Sequence, residues 1–108
     1  MNRDHVCSLL GLAKRGRNLV SGEFSVENAV KSGKAVLVIV AEDASDNTKK
    51  SFSNMCDFYH VPLYFYRDKD TLGHAIGCEF RASVAVLDEG LAKAIIKDLE
   101  EVKANGGN

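Results

Sequence analysis

The chain has 108 residues, 45% of them hydrophobic, and a net charge of −1. This length is typical of one domain, so we expect residues 1–108 to form a single domain with a frayed tail at 105–108. Balanced charge argues against a protein that coats nucleic acid with its whole surface, because release of counterions requires local positive charge. A local basic patch remains compatible with this composition.

The cysteines and the N-terminus indicate where the protein is found. Cys7, Cys56 and Cys78 are odd in number, far apart, and without C-x-x-C spacing. They suggest neither a zinc site nor a redox couple, and they predict buried thiols in a reducing compartment. The N-terminus lacks the apolar core of a secretory signal, and the longest apolar run, 35–41, is too short to cross a bilayer. We expect a cytoplasmic protein without membrane association.

The first half of the chain predicts two helices and two strands. Apolar residues at helical spacing indicate a first helix, which ends in the basic segment 14–17. A short strand at 18–21 follows, and Gly22 then precedes a second helix with Gly33 at its C-terminal cap. The run 35–41 is β-branched without polar alternation, which predicts a strand buried on both faces of a helix-covered sheet.

The second half continues the alternation. A polar loop and N-cap at 42–45 precede a third helix to about Tyr59, a strand at 63–66, a short helix at 68–76, a strand at 82–87 and a final helix capped by Asp88. The third helix is expected to bury Phe52, Met55, Cys56 and Tyr59, and the final helix Leu91, Ile95, Leu99 and Val102. This pattern predicts an α/β fold, a three-layer α/β/α sandwich with a central mixed sheet of about four strands.

Motifs for catalysis are weak. Leu72–Gly77 contains two glycines, but it precedes a strand, so helix packing and a C-cap explain it better than a phosphate loop. The three histidines fall in separate elements, and Asp88–Glu89 favours a helix dipole. Glu42–Asp43, after the central strand, is the most enzyme-like feature, although loop and capping roles also account for it. Because no nucleophile–base pair can be assembled, we expect no enzyme, catalytic residue, cofactor or metal.

Positive charge clusters around the second helix. Lys14, Arg15 and Arg17 precede it, and Lys31 and Lys34 lie at its far end. A solvated face would by itself explain these charges. The glycine turn that opens the helix adds free backbone N–H groups, which attract phosphate.

Three blocks of sequence, in order and in register, carry a resemblance to a known family. They are GLAKR at 11–15 with LVSG at 19–22, AVKSGKA at 29–35 with LVIVAED at 37–43 and NTKK at 47–50, and LGHAIG at 72–77 with ASVAV at 82–86. On these blocks the chain resembles the YlxQ-like bacterial branch of the kink-turn-binding ribosomal protein superfamily. The blocks span almost the whole chain, and the α/β/α order of that family agrees with the predicted elements.

The resemblance implies binding to a sharply bent RNA, in which sheared G·A pairs lie beside a short bulge. The start of the second helix would meet the G·A pairs and phosphates, and the loop before the last strand would cover flipped-out bases. The first contact surface then comprises Gly22, Phe24, Ser25 and Asn28, with Glu23 beside them and Lys31 further along the helix. The second contact surface comprises Glu79, Phe80, Arg81 and Ala82. Lys14, Arg15 and Arg17 complete the predicted RNA-binding residues.

The chain departs from the family pattern at the first contact surface. Archaeal members carry Asn-Glu and then Lys where this chain has Phe24-Ser25 and Asn28. A serine hydroxyl offers a guanine edge less than a carboxylate does, and the lost hydrogen bond is worth about 1.5–3 kcal/mol. Serine also occurs here in the eukaryotic large-subunit relative, and Glu23 lies nearby, so RNA binding is still expected. Two alternatives stay open: Phe24 as a hydrophobic staple on its helix, and Phe80 buried under the final strand.

These observations predict a non-catalytic RNA-binding protein that captures kinked, structured RNA by differential binding. The expected partners of a monomer are ribosomal RNA or another kink-turn RNA, and ribosome or translation proteins. The alternative is a protein-interaction module of the same fold with weak or lost RNA binding. Its partner face would be the last helix, where Asp98, Glu100 and Glu101 alternate with Lys93, Lys97 and Lys103.

Overall fold

Four strands form a mixed sheet with helices on both faces in the computed structural model, which describes residues 4–104. The elements are α1 (His5–Arg15), β1 (Leu19–Ser21), α2 (Glu23–Lys31), β2 (Leu37–Val40), α3 (Asp46–Tyr59), β3 (Leu63–Phe65), α4 (Lys69–Ala75), β4 (Ser83–Val86) and α5 (Glu89–Ala104). Their order and type confirm the predicted elements, although the strands are shorter than predicted. The predicted frayed tail, 105–108, lies outside the described residues.

The strand order in the sheet is β1-β4-β2-β3. β4 runs antiparallel to both β1 and β2, and β2 runs parallel to β3. All four residues of β2 and all four of β4 are buried, because these two central strands have a strand on either side and helices above and below. The prediction of a strand buried on both faces is therefore confirmed.

Alternation along the strands divides the hydrophobic residues between two cores. Leu37 and Ile39 of β2 belong to the core that includes residues of α1, α4 and α5. Val38 and Val40 of the same strand belong to the core formed with α2 and α3. Since successive residues of a strand point to opposite faces, one sheet supports both cores. The three-layer α/β/α sandwich with a four-stranded mixed sheet is confirmed.

The inward face of α3 is shorter than predicted. Phe52 and Cys56 are buried and Met55 is partly buried, but Tyr59 is 40% exposed. Tyr59 is the last residue of the helix and packs edge-to-face on Phe58, with ring centroids 4.9 Å apart. Because its ring rests on an exposed neighbour, the prediction that Tyr59 belongs to the core is wrong.

The three cysteines are free thiols. Cys56 is buried, as predicted, whereas Cys7 and Cys78 are only partly buried. Burial raises the pKa of Cys56 to about 11, and burial together with the nearby Asp4 carboxylate raises the pKa of Cys7 to about 12. Since the thiolate is the reactive form, both groups are poor nucleophiles at neutral pH.

Within residues 4–104, none of the helices has the length and apolar character needed to span a membrane.

The two phenylalanines of α3 allow a test of this packing. Phe52 is fully buried, so Phe52→Ala should lower the free energy of unfolding by about 3–5 kcal/mol. Phe58, on the same helix, is 72% exposed, so Phe58→Ala should cost at most about 1 kcal/mol. Urea denaturation of both variants checks the difference. Equal losses would contradict the assignment of Phe52 to the core.

Candidate nucleic-acid interface

The N-terminus of α2 is open to solvent. Gly22 precedes the helix with φ 91° and ψ 152°, a backbone conformation that is essentially restricted to glycine. Among the described residues, no side chain caps this end of the helix. The N–H groups of the first turn therefore remain available, and together with the helix dipole they favour an anion such as a phosphate.

Phe24 projects from this turn into solvent. Its side chain is 76% exposed, so the alternative of a hydrophobic staple on α2 is wrong. Glu23, Ser25 and Asn28 are also exposed. The first contact surface thus presents an aromatic ring, a carboxylate, a hydroxyl and an amide around the free end of the helix.

The second contact surface lies in the loop between α4 and β4. Phe80 is 55% exposed, so burial under the final strand is also wrong. The Lys69 ammonium nitrogen lies 5.9 Å from the centroid of the Phe80 ring, within range of a cation–π interaction. Lys69 was missed in the sequence, because α4 separates it from Phe80 along the chain.

The two contact surfaces lie side by side. β1 pairs with β4 so that Ser21 is opposite Val84. Just beyond that pair, the Gly22 N–H donates to the Ser83 carbonyl at 3.0 Å. Arg81 adds a side-chain connection, since its Nε donates to the Ser21 hydroxyl at 3.1 Å. The start of α2 and the loop before β4 are consequently held together by the edge of the sheet.

The second contact surface rests directly on α4. A Cβ atom at Gly73 would lie 2.4 Å from the Phe80 Cα, so only glycine allows this approach. Gly77 follows Ile76, the C-cap of α4, with φ 78°, and the Cys78 N–H donates to the Gly73 carbonyl at 2.8 Å. The interpretation of Leu72–Gly77 as helix packing and a C-cap is confirmed.

The basic residues before α2 lie at the other end of the sheet. Lys14 and Arg15 form the last turn of α1, and Arg17 follows with φ 61°. β1 separates them from Gly22 by its own length, about 10 Å. Lys14, Arg15 and Arg17 are exposed. Because β1 lies between, they are not adjacent to the start of α2.

A shallow groove along α2 connects the two ends. Its volume is about 660 Å³, and it is lined by Val20, Ser25, Asn28, Ala29, Lys31, Ser32, Lys34 and Leu87. Leu87 at its far end donates its N–H to the carbonyl of Asn18, next to Arg17, at 2.8 Å. Ser25, Asn28 and Lys31 are three residues apart and share one helix face. The groove thus leads from the first contact surface to the basic end.

Lys31 forms an exposed ion pair within the helix. Its Nζ lies 2.6 Å from Oε2 of Glu27, and this hydrogen bond raises the pKa of Lys31. Exposed pairs of this kind contribute little free energy, because water screens them and two flexible side chains must be ordered. Lys31 can therefore exchange Glu27 for a phosphate at small cost.

Other candidate groups have structural roles. Asp43 accepts a hydrogen bond from the Lys69 N–H at 2.9 Å, and Asp88 caps α5 by accepting from the Leu91 N–H at 2.9 Å. Asp68 caps α4, and its hydrogen bonds from Thr71 lower the pKa of its carboxyl. Residues 4–104 contain no cluster of three or more His, Cys, Asp or Glu side chains suited to a metal ion.

Comparison with known proteins identifies the family. The model of the ribosomal protein L7Ae/L30e/S12e/Gadd45 family matches residues 4–96. The chain belongs to this family. It is 44% identical over 92 residues to the RNA-binding protein YlxQ of Bacillus subtilis (strain 168), covering 85% of this chain and 92% of that protein. It is 35% identical over 92 residues to the protein of the same name from Enterococcus faecium, covering 85% and 88%. The resemblance to the YlxQ-like branch is confirmed.

Two solved structures share the fold of this L7Ae-family chain. A protein with unknown function from Bacillus halodurans C superposes with a TM-score of 0.88 and 36% identity, covering 91% of this chain and 99% of the other. The Giardia lamblia 15.5kD RNA binding protein superposes with a TM-score of 0.76, covering 96% and 92%. Its identity of 21% supports a common fold alone.

The close contact at Gly73 gives a test of the interface. Gly73→Ala would push the added methyl group into the backbone of residues 79–80, so it should displace the loop and cost about 1–3 kcal/mol of stability. His74→Ala changes the next, exposed residue of the same helix and should have little effect. Thermal unfolding and amide NMR shifts of residues 79–82 measure both. An unshifted loop in Gly73→Ala would contradict this close packing.

Proposed function

We propose that this L7Ae-family protein binds structured RNA of the kink-turn type and carries out no reaction. The observation that supports this most strongly is the adjacency of two surfaces that are distant in sequence. They meet through the Gly22–Ser83 and Ser21–Arg81 hydrogen bonds, and each carries an exposed aromatic ring. An exposed ring beside free N–H groups and cations suits unstacked bases next to phosphates.

Each surface would have a distinct role. The free N–H groups of α2, with Ser25 and Asn28, would face the G·A pairs and the phosphates beside them. Phe80 would stack on a flipped-out base, with Lys69 and Arg81 near its phosphate. We further propose Glu23, Phe24, Glu79 and Ala82 as direct neighbours of the RNA.

The groove along α2 would take the RNA backbone that leaves the kink. Lys31 and Lys34 line it, and Lys14, Arg15 and Arg17 would attract the same strand from the far end. Because the protein would bind the kinked conformer better than the extended one, it would shift the RNA toward the kink.

The proposed setting is the cytoplasmic ribosome or another part of translation. The description of the family names ribosomal proteins, and two relatives are named RNA-binding proteins. We propose that the chain acts as a monomer on ribosomal RNA or another kink-turn RNA.

The direct test is titration of a labelled kink-turn RNA, and of the same RNA with its G·A pairs replaced, at low and high salt. The protein should prefer the kinked RNA, and its affinity should fall steeply with salt. Arg81→Ala should weaken binding by about ten- to hundredfold, and Phe80→Ala should cost about 1–3 kcal/mol of binding free energy. Lys97→Ala removes an exposed charge on α5, which packs on the face of the sheet opposite α2, and it should leave affinity nearly unchanged.

Equal, weak binding to both RNAs, unaffected by Arg81→Ala and Phe80→Ala, would overturn the RNA function. The exposed rings would then favour the alternative, a protein-interaction module of the same fold.

Competition between Glu27 and phosphate for Lys31 gives a second test. Glu27→Gln removes the partner of Lys31 and one negative charge beside the groove. Affinity for the kink-turn RNA should rise by about two- to threefold at low salt, and the gain should shrink at high salt. Glu101→Gln makes the same charge change on α5 and should not produce this gain. An equal gain in both variants would indicate a general charge effect instead of a site on α2.

A further inference from the structure

Asp43 connects the loop after β2 to the start of α4. Its Oδ1 accepts a hydrogen bond from the backbone N–H of Lys69, the first residue of α4, at 2.9 Å. This N–H belongs to the first turn of the helix, so it has no partner within α4. The N-cap, Asp68, already accepts from the Thr71 N–H at 3.1 Å. Asp43 therefore satisfies a donor that the helix's own cap leaves free.

The residues next to Asp43 contact the same region through their backbone. The Ala41 N–H donates to the Ala82 carbonyl at 2.8 Å, and the Glu42 N–H donates to the Arg67 carbonyl at 2.7 Å. Segment 41–43 thus reaches both the chain that enters α4 and the end of the second contact surface.

Lys69 carries the connection onward to the proposed RNA surface. Its carbonyl accepts from the Arg81 N–H at 3.1 Å, and Arg81 in turn donates from Nε to the Ser21 hydroxyl. The Lys69 side chain lies over the Phe80 ring. A series of hydrogen bonds consequently runs from Asp43 through the Lys69 backbone to Arg81 and to the residue before Gly22.

We propose that Asp43 is a positioning residue for the second contact surface, which it holds through Lys69 without itself contacting RNA. This inference rests on the proposed RNA-binding function of that surface. It gives a reason for a side-chain hydrogen-bond acceptor at this place, although the negative charge of Asp43 would by itself repel phosphates. It also replaces the enzyme-like interpretation of Glu42–Asp43.

Three variants separate positioning from simple charge. Asp43→Ala removes both the acceptor and the charge, whereas Asp43→Asn removes the charge and keeps an amide oxygen that can accept from Lys69. Glu42→Ala removes the neighbouring exposed charge and leaves the Asp43 acceptor of the Lys69 N–H in place. Asp43 is itself exposed, so the variants should fold with melting temperatures close to that of the wild type.

Affinity for the kink-turn RNA is the first readout. Positioning predicts that Asp43→Ala binds about three- to tenfold more weakly, and that Asp43→Asn and Glu42→Ala bind as well as wild type or better. Charge repulsion alone predicts tighter binding for all three variants. Unchanged or tighter binding by Asp43→Ala would overturn the proposal.

NMR of the protein without RNA is the second readout. In Asp43→Ala the amide resonances of Lys69, Phe80 and Arg81 should shift and the Arg81 amide should exchange faster, whereas Asp43→Asn should restore them. Unaltered resonances in Asp43→Ala would overturn the positioning role whatever the RNA result. If those resonances shift but the wild type does not prefer the kinked RNA, the failure lies with the RNA function, and the connection from Asp43 to Arg81 stands.

Discussion

The antiparallel pairing of β1 with β4 determines where α2 begins relative to the loop before β4. β1 has only three residues, and its hold on the sheet depends on burial of Leu19 in one core and packing of Val20 against the other. Where the pairing ends, the Gly22 N–H still bonds to Ser83, and the chain then turns into α2. Weaker packing of Leu19 in the core would therefore loosen both the turn at Gly22 and its hydrogen-bond partner, Ser83. The pairing of β1 with β4 therefore forms the candidate interface by bringing the start of α2 next to the loop before β4.

The exposed groups of the interface are attached to a constrained backbone. Phe80 lies where its Cα touches Gly73, and Arg81 is held through its N–H and its Nε. A ligand that meets such a surface need not order it, so less of the interaction energy is spent on immobilising the protein. The rings of Phe24 and Phe80 remain in contact with water in the free protein. Removal of these rings from water would be a gain that becomes available only in a complex.

The sequence predicted the fold well because most of its signals are local. The β-branched run around β2 and the caps at Ser45 and Asp88 reflect short-range patterns, and the structure confirms them. Contacts between elements carry no such pattern. The hydrogen bond between Asp43 and Lys69 joins the loop after β2 to the start of α4, and no spacing rule relates these residues. Spacing likewise placed Tyr59 inward, because periodicity identifies a face of a helix and not where its packing ends.

Closeness in sequence was also an imperfect guide to the site. Lys14, Arg15 and Arg17 come shortly before Gly22, yet an extended strand carries the chain to the opposite end of the sheet before α2 begins. Sequence spacing gives the number of residues between two groups, but it does not give the direction in which the strand between them runs. The family resemblance, in contrast, led to the two surfaces that the sheet brings together.

The shortness of the outer strands has a consequence for crowding. β1 and β3 flank the sheet, and each has three residues. An edge this short is a poor template for another β-strand, because few backbone groups are free to pair. Copies of the chain at high concentration should therefore resist joining edge to edge into a continuous sheet.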